Sequence, residues 1–335
     1  RYLAYNVNRD GFQDLEVLDL TLNRMVSLPR IPRGLIVPGD FSADGTKLGL
    51  AISSAGKPND CYTIDLNVGH LEKWTNSTLA GIPAKTFDGK EIPAFLYLPK
   101  NAPKDHSLPT ILSVHGGPES QERPIFSPLY QYFVSRGYAI LAPNIRGSAG
   151  LGKTYLTLDN GPMRWDALKD LDAAVDYVGE HPSLNGKKVA ILGGSYGGFA
   201  VLAMLAHYPT RFAVGVDLFG ITDFKTFLAN TASYRRANRA AEYGDPVKDS
   251  AYMDMVSPQR HADRITSPLL VIQGSNDPRV PESESRQIVD KLKKLKRKVS
   301  YMLFPDEGHG IAKLPNRIKA YEGIVEFLDS ILRAP

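Results

Sequence analysis

The first eighty residues carry short β-type segments in which apolar and polar positions alternate: RYLAYNV at 1–7, LEVLDLT at 15–21, KLGLAIS at 47–53 and CYTIDL at 61–66. Turn signals bound them, with NRDG at 8–11, SADG at 42–45, KPND at 57–60 and NVG at 67–69. Strands spaced this closely predict an antiparallel all-β unit over residues 1–80. A strand, an Asp-Gly turn, a second strand and an Asp-Leu ending recur about twice, which suggests a repeat. A closed propeller has about 4–8 blades. The unit therefore reads as a propeller remnant, or as the end of a β domain that lies mostly outside this chain.

From about residue 85 the rhythm changes to strands that alternate with helices. EIPAFLYL (91–98), TILSVHGGP (110–118), YAILAPNIRG (138–147) and KVAILGG (188–194) are apolar strands, several running into glycine-rich loops. FAVGVDLFG, PLLVIQG and VSYMLF are further buried strands. Leu168, Leu171, Val175 and Val178 give residues 164–180 helical spacing, FAVLAMLAHY (199–208) is a helix, and 316–332 closes the chain as another. Continuous apolar strands separated by helices predict a mostly parallel sheet covered on both faces, and hence an α/β domain over 81–335.

The 335 residues carry Lys+Arg 40 against Asp+Glu 36, a net charge of +4, too mild and too dispersed for a nucleic-acid partner. The one basic run, KLKKLKRK at 291–298, accompanies Ile288, Leu292 and Leu295 on one face, so its lysines read as the solvated side of an amphipathic helix. Cys61 is the only cysteine, which excludes an intrachain disulfide and offers no catalytic-cysteine motif. No apolar run reaches the roughly 18–20 residues of a membrane helix, and no signal segment opens the chain. The expectation is a cytoplasmic protein without a membrane partner. The chain begins at Arg1 rather than Met, compatible with upstream residues having been removed.

The chemistry centres on GGSYGG at 193–198. Gly193-Gly194-Ser195-Tyr196-Gly197 fits G-x-S-x-G, in which a sharp strand-to-helix turn lifts the serine hydroxyl above the sheet. The motif alone is weak. Here it follows the strand VAIL and precedes an apolar helix, the context that gives it meaning as the elbow of an α/β hydrolase with Ser195 as nucleophile. A serine needs a base oriented by a carboxylate, and in this fold they follow in the order Ser, Asp or Glu, His. Of His207, His261 and His309, only His309, in DEGHG after VSYMLF, sits on a loop at the carboxyl edge of the sheet. Asp277, in QGSNDPRVP after PLLVIQG, sits on another; the competing acids are Asp217, Asp223, Asp306 and Glu307. The developing oxyanion needs preorganised donors. One is the backbone N–H of Tyr196; the second comes from HGGP at 115–118, with Gly117 preferred and Gly116 the alternative. His115 reads as packing under that loop. Arg146, Arg279 and Asp166 read as structural. No HExxH or clustered His/Cys spacing occurs, so neither metal nor cofactor is expected.

Together FSADGTKLGLAISSA, HGGP, SRGYAILAPNIRGSAGLG, GGSYGGF, SPLLVIQGSNDPRVP and LFPDEGHGI resemble the prolyl oligopeptidase family, specifically its acylaminoacyl-peptidase-like branch. The resemblance covers nearly the whole chain. It implies an α/β-hydrolase catalytic domain preceded by a β-propeller that restricts substrates to short peptides, of which residues 1–80 correspond to the C-terminal end only. It implies Ser195, Asp277 and His309 as triad and Gly117 and Tyr196 as oxyanion donors. The expected activity is cleavage of short or N-acylated peptides through an acyl-enzyme, with a broad-specificity carboxylesterase acting on small esters as the alternative. The open strand edges of an incomplete propeller favour association into a homo-oligomer.

Overall fold

A computed structural model describes residues 1–9, 12–54, 57–82, 86–123 and 127–333. Compactness divides the chain into two units. One comprises Arg1–Ala80, Phe95–Pro103 and Arg123–Ile140; the other comprises Gly81–Ala94, Lys104–Glu122 and Leu141–Pro335.

In the first unit the strands are β1 (Tyr2–Arg9), β2 (Phe12–Asp19), β3 (Arg24–Met25), β4 (Leu35–Phe41), β5 (Lys47–Ser54), β6 (Lys57–Asp65) and β7 (His70–Lys73), with β8 (Thr75–Ile82) after them. They form two antiparallel sheets, β1-β2-β3 and β4-β5-β6-β7. The four-stranded meander has the layout of a propeller blade. Alternation along β5 aims Leu48, Leu50 and Ile52 into a core shared with Leu15 and Val17 of β2 and Ile64 of β6. Cys61 is buried and free.

One expectation for this unit changes. KPND is not a turn: Lys57 to Asp60 open β6, with Lys57 paired to Ser54 and Asp60 to Ile52. Lys57 precedes proline, which favours extended backbone, and Pro58 lies beyond the stretch of β6 that pairs with β7, where a missing N–H is tolerated. Residues 55 and 56, between β5 and β6, lie outside the described residues, as do Asp10 and Gly11 of the NRDG turn.

The remaining elements are β9 (Ile92–Pro99), β10 (Leu108–Val114), α1 (Pro128–Ser135), β11 (Ala139–Pro143), α2 (Lys153–Leu156), α3 (Arg164–Glu180), β12 (Leu184–Gly194), α4 (Tyr196–His207), β13 (Val214–Leu218), α5 (Phe224–Asn230), α6 (Ser233–Tyr243), α7 (Ser250–Val256), β14 (Leu269–Gly274), α8 (Glu282–Lys294), β15 (Val299–Phe304) and α9 (Leu314–Leu332). In the second unit the strands run β15-β14-β13-β12-β10, every neighbouring pair parallel. Strands β10 and β14 are buried along their whole length, including Thr110, Ser113 and Gln273, whereas β15, expected to be buried, is the edge strand of the sheet and is fully covered only at Phe304. Helices α3 and α4 pack on β12, and α8 packs on β14 and β15. The carboxyl ends of all five strands open to one edge, where β12 lies between β10 and β13. Helix α8 ends one residue before Leu295, which is exposed, while Ile288 and Leu292 are buried as the amphipathic pattern requires.

Candidate active site

Strand β12 ends at Gly194 and α4 begins at Tyr196, so the whole strand-to-helix turn falls on Ser195. Its φ of 59° and ψ of −117° lie where an L-residue pays about 1–3 kcal/mol of backbone strain. Two hydrogen bonds hold it there: its N–H donates to the Leu218 carbonyl at 2.9 Å, and its carbonyl accepts from the Phe199 N–H at 3.0 Å. The helix can start this close to β10 because Gly197 has no side chain; a Cβ there would lie 2.1 Å from the Val114 carbonyl oxygen.

The loop after β14 carries Asp277 and the loop after β15 carries His309. The Asp277 Oδ2 lies 2.7 Å from His309 Nδ1. The Oδ1 accepts backbone N–H bonds from Arg279 at 2.8 Å and Val280 at 3.0 Å. The carboxylate is thus fixed by its own loop and turned toward the ring. The two loops are tied by Asn276, whose N–H donates to the Glu307 carbonyl and whose Nδ2 donates to the Pro305 carbonyl. The imidazole of His309 packs on the Phe219 ring at 4.8 Å between centroids.

Ser195 and His309 line one cleft of about 750 Å³ with Gly116, Gly117, Asn160, Arg239, Glu242 and Arg279. The HGGP loop lies against the elbow: a Cβ on Gly116 would be 3.0 Å from the Gly194 carbonyl oxygen and 3.5 Å from Ser195 Cβ. Gly117 has a φ of +129°, a conformation glycine adopts freely. Its carbonyl accepts from Arg239 at 3.3 Å and from the Tyr243 hydroxyl at 3.5 Å. His115 lies behind the loop, with Nδ1 2.8 Å from the Gly116 carbonyl and Nε2 2.7 Å from Ser148 Oγ, and burial holds its pKa below the usual histidine value.

Beside Tyr196 lies a network for which the motifs gave no warning. Arg164, at the first position of α3, is fully buried. It donates to Asp159 at 3.1 Å and to Glu242 Oε1 at 2.6 Å, and its guanidinium stacks over the rings of Tyr196 at 5.0 Å and Tyr243 at 4.7 Å. Burial pushes Asp159 up to about 7 despite its arginine, and the nearby Glu242 carboxylate adds to the shift. One signal was available. Arg164 falls on the stripe of Leu168, Leu171, Val175 and Val178, and a charge on an apolar stripe needs a buried partner. Nothing comparable marked Arg239, Glu242 or Tyr243.

The other candidates have separate partners. The His207 ring meets Trp165 edge-to-face and lies tilted against His261, and burial lowers its pKa to about 4. Asp223 caps α5 through the N–H groups of Lys225 and Thr226. Asp306 pairs with Lys313, and Glu307 accepts from the N–H groups of Ala312 and Lys313. Arg146 is held between Asp170 and Asp88, and Asp166 pairs with Lys169 in the first turn of α3. Among the described residues, no cluster of three or more His, Cys, Asp or Glu could hold a metal ion, and no helix is long and apolar enough to cross a membrane.

Residues 124–334 match the model of the prolyl oligopeptidase family. The chain belongs to that family. Among its relatives, dipeptidyl aminopeptidase BIII of Pseudoxanthomonas mexicana is 36% identical over 317 residues, which cover 87% of this chain and 46% of that protein. A solved Mycobacterium tuberculosis puromycin-hydrolyzing peptidase superposes with a TM-score of 0.73 at 26% identity, over 99% of this chain and 52% of that one. An acylaminoacyl peptidase in complex with Z-Gly-Gly-Phe-chloromethyl ketone shares the fold, with a TM-score of 0.73 at 22% identity, over 100% of this chain and 55% of that one. The chain spans about half the length of the curated relatives it matches. As a member of the prolyl oligopeptidase family it has the expected α/β-hydrolase fold, and the two antiparallel sheets before it fit a propeller remnant. The family is one of serine peptidases.

Proposed function

We propose that this chain is the catalytic part of a serine hydrolase that cleaves acyl bonds of short or N-acylated peptides. Ser195 attacks the scissile carbonyl carbon while His309 takes the hydroxyl proton at Nε2, the ring nitrogen not occupied by Asp277. The C–N bond then breaks, and His309 returns the proton to the leaving amine. Water, deprotonated by the same imidazole, releases the acid from the acyl-enzyme and regenerates Ser195. Asp277 holds the ring in the right tautomer and stabilises the imidazolium. The N–H groups of Gly117 and Tyr196 receive the oxyanion.

The observation that carries this reading is the 2.7 Å contact between Asp277 and His309, made by two strand-end loops at the cleft that also holds the strained Ser195. The short-peptide part rests on the dipeptidyl aminopeptidase and acylaminoacyl peptidase relatives and on the blocked peptide inhibitor of the latter.

A fluorophosphonate probe tests the nucleophile. Wild-type protein labels and Ser195→Ala does not, with turnover of an ester falling by roughly 10⁴–10⁶-fold in the variant. Labelling that survives the substitution would overturn the assignment. Matched peptide amides and esters then test the substrate class: efficient cleavage of short acyl-peptides supports the peptidase, whereas turnover of esters alone replaces it with the carboxylesterase.

A further inference from the structure

The wall of the cleft beside Tyr196 carries a charge pattern that hydrolysis itself does not need. Arg164 meets two carboxylates, Asp159 and Glu242, in a buried site. One cation cannot neutralise two anions, and a buried excess charge is costly. The rise of Asp159 to about 7 is one consequence of this burial and crowding. Glu242 differs from Asp159 in being reachable. It commits Oε1 to Arg164, yet its side chain keeps a tenth of its surface open and lines the cleft. The same cleft is lined by Asn160, whose Oδ1 is buried without a hydrogen-bond partner. Glu119 adds a third carboxylate to this side and is close enough to act electrostatically on Asp159. Of the two cations in the lining, Arg239 is engaged with the Gly117 carbonyl and the Tyr243 ring, and Arg279 lies on the Asp277 loop, which belongs to the triad side of the cleft. An acceptor oxygen without a donor and an accessible carboxylate in one cleft suit a group that brings both hydrogens and positive charge.

We propose that this subsite receives the P1 side chain, the one next to the scissile bond, and selects a side chain ending in an ammonium or guanidinium group. Glu242 is the counter-charge and Asn160 the additional acceptor. This rests on Ser195 being the nucleophile, since Tyr196, against which Arg164 packs, is the next residue. Arg164 is a positioning residue that fixes the Glu242 carboxylate.

The test compares N-acetyl-lysine and N-acetyl-norleucine p-nitroanilides, which differ by the ammonium group, with norleucine p-nitroanilide carrying a free α-amine. The wild-type chain is expected to prefer lysine over norleucine by at least about tenfold in kcat/KM. That ratio falls toward one in Glu242→Gln, which keeps an oxygen for Arg164 but loses the charge. It rises in Asn160→Asp, a variant that does not touch the Arg164 pair and so keeps the test decisive if Glu242→Gln folds poorly. A wild-type ratio of one or below overturns the proposal. So does preference for the free α-amine over both acetylated substrates, because the recognised cation is then the substrate's own terminus. If no anilide is cleaved and the fluorophosphonate fails to label, both this inference and the hydrolase reading fall. Cleavage with labelling but no lysine preference sinks this inference alone.

Discussion

The strand-end loops that carry Ser195, Asp277 and His309 and the helical stretch from Phe224 to Val256 line the same cleft by opposite means. In the loops, polar side chains are held by backbone groups a few residues away: Asp277 takes two N–H bonds from its own turn. In the helical stretch, Glu242 and Tyr243 are held by Arg164, 78 residues from Glu242 in sequence, through an ion pair that is buried on the arginine side and open to the cleft only at Glu242. The first arrangement is local and made largely of neutral donors. The second is long-range and charged, and its parts are costly to separate. Chemistry therefore depends on loops that a buried sheet aims, while the shape and charge of the neighbouring wall depend on one buried guanidinium.

The sharpest way to break this comparison is to damage one side and watch the other. Asp277→Asn should lower kcat on an ester by about 10⁴-fold, because the amide stabilises the wrong imidazole tautomer. Its unfolding midpoint should barely move, since the Asn oxygen still accepts the N–H groups of Arg279 and Val280. Steady-state kinetics beside thermal unfolding decides it; a large loss of stability would mean the loop is not locally held.

Arg164→Met should do the reverse in stability. Removing the cation strands Asp159 and Glu242, and breaking a buried pair costs about 3–5 kcal/mol. Urea unfolding should show a much lower midpoint. An unchanged midpoint would show that the helical stretch is fixed by its apolar contacts alone.

The smallest effect lies at the junction of the two regions. Asp217 is the next-to-last residue of β13, just before the chain turns toward the helical stretch; it is fully buried, and burial raises its pKa to about 7 against a backbone hydrogen bond from Gly220. An acid raised in the folded state keeps its proton when the unfolded chain has lost it. Its contribution to stability is therefore complete below the usual carboxylate range and is lost as pH rises through about 7. Asp217→Asn should flatten this slope, so that its stability relative to wild type is greater at pH 8 than at pH 5 by roughly 2–3 kcal/mol. Denaturant titrations at the two pH values would show it; parallel slopes would place the proton elsewhere.

Legibility in the sequence follows the same divide. Strands β10, β12 and β14 announce themselves because burial on both faces demands mostly apolar runs, β15 is as apolar although it is an edge strand only partly covered, and the polar residues just past their ends then stand out. Asp277 and His309 were visible for that reason. Helices α5 and α7 have seven residues each, too few to establish a periodic stripe. In α6 the residues that matter, Arg239, Glu242 and Tyr243, answer to a partner on α3 and to the Gly117 carbonyl, and no local pattern encodes either contact. Strand β4 passed unread because VPGD, with its proline and glycine, resembles a loop, although Leu35 to Pro38 pair with β5. KPND misled in the same way, since pairing partners rather than propensity decided its conformation.

The positive φ of Ser195 bears on how such a domain responds to artificial selection. Glycine would occupy that corner of conformational space without strain, so Ser195→Gly removes the hydroxyl and relieves the backbone in one step. A library screened only for heat resistance would therefore drift away from the residue on which turnover depends, and the most durable clones would be inert. Any campaign to harden this scaffold has to read out covalent labelling alongside melting temperature, or it will enrich the loss it is meant to avoid.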